Sequence, residues 1–135
     1  MKLYSGMVDP FSQRCRFVLF EKAIDFKIVD VDMLSHREDL MMINPYQAVP
    51  VLVERDLVLY EANIINEYID ERFPLSLLMS TDPVIRARTR QTLHRFEKDL
   101  FCHIDTIEHG QAKVADKARQ VIQDNLMQIS AGLAN

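Results

Sequence analysis

Ser12 is the first side chain in this sequence with both the chemistry and the position to steady an anion. It falls in the first turn of a helix opened by Asp9-Pro10, an acceptor at the cap followed by proline at the first helical position. The first backbone N–H groups of a helix have no partner inside it. A hydroxyl among them can stabilise a thiolate. The same place also suits a plain capping or helix-surface residue. Asp9 reads as the cap itself, and its negative charge would oppose thiolate formation nearby. Cys15 lies one turn further along the apolar stripe Phe11, Cys15, Val18 and Leu19, so it reads as core. Cys102 is far away in sequence, and there is no CxxC or Cys/His ligand pattern. His36, His94, His103 and His109 form no metal-binding group either, so no metal is expected.

The elements that must position these residues follow from period and punctuation. Lys2 to Ser5 reads as a short strand ended by Gly6, and the Asp9-Pro10 helix should end near Lys22-Ala23. Phe26 to Val31 is a second strand. Ser35 can cap a short helix through Ile43, stopped by Asn44-Pro45. Val49 to Val53 and Leu57 to Tyr60, parted by Glu54-Arg55-Asp56, form an antiparallel hairpin. Read from residues alone, Pro50 starts a strand on a trans bond. Ile64, Ile65, Tyr68 and Ile69 then mark a helix that ends at Phe73-Pro74, with Glu61 as a candidate cap. The order is βαβαββα, one α/β unit assigned to residues 1–76.

Residues 77–135 read as a separate helical part. Asp82-Pro83 repeats the helix start. Ile85, Thr92, Leu93, Phe96, Leu100, Ile104 and Ile107 trace one long helix ended by Gly110. Val114, Ala118, Val121, Ile122, Leu126, Ile129 and Leu133 trace a second. Arg86, Arg88, Arg90 and Arg95 make the start of the long helix basic. They form either a solvated face balanced by Glu97 and Asp99 or a charged docking surface.

Composition bounds the possibilities. The chain has 135 residues, 48% hydrophobic and 27% charged, enough for a packed core. A net charge of −4 gives direct nucleic-acid binding no bulk electrostatic support. No apolar run approaches the roughly 20 residues that span a bilayer, and the start is not that of a signal peptide. Seven methionines and two unremarkable cysteines suit a reducing cytoplasm.

Three stretches make the reading specific: Asp9 to Arg16 (DPFSQRCR), Asn44 to Leu52 (NPYQAVPVL) and Leu59 to Ile65 (LYEANII). Together they resemble the glutathione transferase superfamily, whose fold is a thioredoxin-like domain followed by an all-helical one. The resemblance covers nearly the whole chain, which holds the first two helices of that second domain. It implies a cis bond between Val49 and Pro50. The Val49 backbone would then face a ligand groove where a peptide thiol such as glutathione pairs as an added strand. Ser12, Val49, Pro50, Glu61 and Ala62 are the glutathione-binding candidates, with Ser12 catalytic only if the protein is active.

Two departures from the family pattern weaken that chemistry. Cysteine-type relatives carry their thiol just before Pro-Phe, where this chain has Asp9. Glutathione-binding relatives place a hydroxyl residue after the acidic one, to hold the γ-glutamyl carboxylate at a helix start. Ala62 keeps only the backbone donor there. A missing hydrogen bond to a charged group is worth about 1.5–3 kcal/mol, roughly one to two decades of affinity.

The runs Ile64 to Pro74 (IINEYIDERFP) and Phe96-Glu97-Lys98-Asp99 resemble a bacterial branch of the superfamily that associates with RNA polymerase and lacks transferase activity. That resemblance implies a cytoplasmic, stress-linked transcription regulator. It would contact RNA polymerase holoenzyme through protein surfaces and require no cofactor. The alternative is an enzyme that conjugates glutathione to small electrophiles. Two helices taken from a larger helical domain leave apolar faces uncovered, so a homodimer or higher oligomer is expected.

Overall fold

The computed structural model describes residues 1–31 and 37–133 and divides into two compact units, Met1–Met79 and Ser80–Asn135. In the first unit β1 (Lys2–Ser5), α1 (Pro10–Glu21), β2 (Lys27–Asp30), α2 (Arg37–Ile43), β3 (Val51–Glu54), β4 (Leu57–Tyr60) and α3 (Ala62–Arg72) follow in order. The sheet runs β2-β1-β3-β4. The βαβ crossover makes β1 and β2 parallel, with Leu3 beside Ile28. β3 lies antiparallel to both β1 and β4, pairing Leu3 with Leu52 and Leu52 with Leu59.

Side chains alternate across a strand, so each face of the sheet has its own core. Leu3 and Leu52 face α1 and α3, where they pack with Cys15, Leu19, Ala62, Ile65 and Ile69, all buried. Val51 faces the other way and packs with Val31 and with Leu40 of α2. The expected cap of α2, Ser35, lies outside the described residues, as does His36. The glycine-free turn between β3 and β4 is made by Arg55 adopting a left-handed φ of 55°.

The first unit extends three residues past the boundary after residue 76 expected from sequence. The Asp70 carboxylate accepts the N–H groups of Leu78 and Met79, each at 2.8 Å, and so keeps the chain after α3 within this unit.

The second unit contains α4 (Pro83–Phe96), a π-helical turn (Glu97–Phe101), α5 (Cys102–His109) and α6 (Ala112–Leu133). Asp82 caps α4 by accepting the N–H groups of Val84 and Ile85 at 2.8 and 2.9 Å. The long helix expected here is interrupted by the widened turn between Phe96 and Cys102. Asn125 of α6 donates its side-chain amide to the Asp99 carbonyl of that turn at 3.4 Å. Gly110 is the C-cap of α5, where a Cβ would stand 2.3 Å from the Thr106 carbonyl oxygen, so only glycine fits. Among the described residues of this unit, only Ala115 and Ala118 are fully buried. No described helix is long and apolar enough to cross a membrane.

Candidate functional site

The residues singled out from sequence converge at the amino ends of α1 and α3, and Gly6 is where several of them meet. Its N–H donates to the Ser12 hydroxyl at 3.1 Å, and its carbonyl accepts from the Arg16 guanidinium at 2.9 Å. A Cβ on Gly6 would stand 2.9 Å from the Asp9 Cβ and 3.2 Å from a Val49 methyl. Only glycine lets β1, the α1 cap and the Val49 loop approach this closely.

Asp9 caps α1, its carboxylate accepting the Ser12 N–H at 2.6 Å. Ser12 differs from a helix-surface residue. It is completely buried, and its oxygen already serves the Gly6 N–H. Cys15 is core, as its stripe position requires. Burial pushes its thiol up to about 12, with Arg14 opposing and Asp9 adding to that shift. Its Sγ points to the Ala62 carbonyl at 3.8 Å. A thiol held that firmly neutral is no nucleophile at physiological pH.

The Val49–Pro50 bond is cis, as the resemblance implied. β3 begins only at Val51, so the Val49 main chain stands outside the ladder. The loop that delivers it is organised by Asn44, a buried residue whose role sequence reading missed. The Asn44 side-chain oxygen accepts the Tyr46 N–H at 3.0 Å, and its amide donates to the Ala48 carbonyl at 2.8 Å. An asparagine two residues before the amide it caps is a known turn signature, so the signal was present.

At α3, Glu61 is the preceding residue but makes no capping hydrogen bond, contrary to the sequence expectation. Its backbone is left-handed at φ 72° and its side chain is exposed and does not cap the helix. Ala62 is 3% exposed, its methyl in the core against Cys15 and Leu52. Arg14 of α1 donates to the Asn63 side-chain oxygen and so ties the two helix starts together. Tyr46 and Tyr60 meet edge to face, ring centres 5.5 Å apart, with Tyr46 largely exposed. Neither pairing was anticipated, because each joins residues distant in sequence. His94, His103 and His109 belong to the helical unit, where His109 contacts Asp105 at 3.0 Å on an exposed surface.

The geometry combines a half-buried cap, a loop delivering a cis-proline and a left-handed residue opening α3, on a β2-β1-β3-β4 sheet. This defines a thioredoxin-like domain of the glutathione transferase type. The chain belongs to the family of glutathione S-transferase N-terminal domains, whose family model matches residues 1–71.

Within that family it is similar to a stringent starvation protein A homolog of Coxiella burnetii, 41% identical over 129 residues. The match covers 96% of this chain and 62% of that protein. A stringent starvation protein A homolog of Haemophilus ducreyi is 37% identical, with 99% and 63% covered. The chain thus spans about three fifths of the length of these relatives. Among solved structures, the tau class glutathione S-transferase of mango superposes with a TM-score of 0.81 at 25% identity, covering 95% of this chain and 60% of that one.

Proposed function

We propose that this chain belongs to an RNA polymerase-associated regulator of the stringent starvation protein A type, without transferase activity, acting in the bacterial cytoplasm under stress. The observation that carries this reading is the state of Ser12. The hydroxyl best placed to stabilise a glutathione thiolate is completely buried, out of reach of a ligand thiol at the surface. The likeness to two stringent starvation protein A homologs supports the same direction. Partner contact then falls to protein surfaces, with no direct role for nucleic acid, no required cofactor and a homodimer as the working unit.

Two measurements on the purified protein test this. Retention of RNA polymerase holoenzyme is expected together with no turnover of glutathione and a chloronitrobenzene electrophile. Conjugation abolished by Ser12→Ala, in a variant whose circular dichroism matches the parent, would overturn the proposal.

A second reading keeps glutathione as a ligand without chemistry. It rests on the cis Val49–Pro50 bond and on Glu61, whose left-handed backbone opens α3 without its side chain capping the helix. Calorimetric titration with glutathione decides it. Weak binding is expected, because Ala62 supplies no hydroxyl.

A further inference from the structure

We propose that the buried Lys22–Asp70 pair is a latch: these two side chains hold residues 73–79, the segment leading out of α3, and release them together when the pair is broken. Lys22 caps the carboxyl end of α1, and its Nζ lies 2.5 Å from Asp70 Oδ1. The two side chains are 0% and 6% exposed. An ammonium has three donors and no acceptor. Lys22 directs its donors to the Asp70 carboxylate and to the carbonyls of Phe73 and Ser76, each at 2.9 Å, with the Leu75 carbonyl further off at 3.4 Å. Asp70 accepts the Leu78 N–H on Oδ1, the oxygen that Lys22 also faces, and the Met79 N–H on Oδ2. Five main-chain groups of the segment thus depend on one cation and one anion.

The side chains of the segment offer no comparable hold. Phe73 packs against the core, but Pro74 to Leu78 are all exposed, Leu75 at 87%. Ser76 is left-handed at φ 58°, a conformation its own side chain does not favour. Apolar burial does not fix such a strap, so the buried ions do. Their fates are linked, because removing either leaves the other as an uncompensated buried charge.

Hydrogen exchange by mass spectrometry on the full chain tests this, with the 73–79 peptide read against peptides covering β1 and β3. Asp70→Asn should speed exchange of the Leu78 and Met79 amides roughly tenfold or more, and leave the sheet unchanged. If that variant fails to fold, Lys22→Met/Asp70→Leu keeps the volume and removes both buried charges, and the strap should still exchange fast. Strap exchange equal to the parent would overturn the latch. So would acceleration of β1 and β3 in step with the strap, since the pair would then be a general stabiliser.

Discussion

The two units of this chain solve the burial problem to very different degrees. The α/β unit closes around Leu3, Leu19, Leu52, Ile65 and Ile69, each no more than 1% exposed. Several polar groups that go under are paired: Ser12 with Gly6, Asn44 with its own loop, Asp70 with Lys22; the Arg16 Nε and Asn66 Oδ1 atoms are buried without a hydrogen-bond partner among the described residues. In the helical unit only two alanines are buried among the described residues, while Leu126 and Met127 remain 52% and 60% exposed. Between α5 and α6 a cleft of about 410 Å³ is lined by Ile107, Ile122, Leu126 and Met127. The difference shows that amphipathic periodicity alone does not close a core. A helix can carry a well-formed apolar stripe and still lack the surface that covers it.

The largest effect that tests this contrast is core truncation. Leu19→Ala or Ile65→Ala should cost about 2–5 kcal/mol in urea denaturation, whereas Leu126→Ala should cost about 1 kcal/mol or less. Equal losses would mean that α6 is as well covered as α1. Ser12→Ala comes next. It strands the Gly6 N–H and should cost about 1–3 kcal/mol, again by denaturation.

Acid should strain the first unit through Asp70. Burial alone would raise its pKa, but hydrogen bonds from Leu78, Lys22 and Met79 prevail and hold it below the usual carboxylate range. The folded value lies under the unfolded one. Its contribution is therefore complete above about pH 4 and is lost as pH falls through the folded value. Thermal unfolding of the chain and of Asp70→Asn from pH 7 down to pH 2 checks this; the gap between them should narrow on acidification.

The smallest effect compares the two Asp-Pro caps. Asp9→Ala should cost about 1 kcal/mol, because its bond to Ser12 is half-buried. Asp82→Ala, at a fully exposed helix start, should cost about 0.5 kcal/mol. Equal costs for the two would show that burial around the cap adds nothing.

Local signals carried most of the fold. Asp-Pro pairs started two helices, Asn44-Pro45 stopped one, and alternation placed the hairpin, because each depends on chemistry within a few residues. The position of Cys15 in the core was legible for the same reason. The cis bond at Pro50 was legible only through family resemblance, since the residues alone favoured trans.

What escaped was everything that joins distant segments. Sequence could place Ser12 in a first turn, but not reveal that packing buries it and sets the Gly6 N–H against its oxygen. It suggested Glu61 as a cap, but the turn from β4 into α3 demanded a left-handed residue and carried that carboxylate away. The π-helical turn at Glu97–Phe101 interrupts what read as one continuous helix, and no residue type in the sequence announced it. Period and punctuation determine which elements form, because their energetics are local. Which polar atoms remain free for chemistry is decided only when the elements pack, because burial and hydrogen-bond pairing belong to the assembled unit.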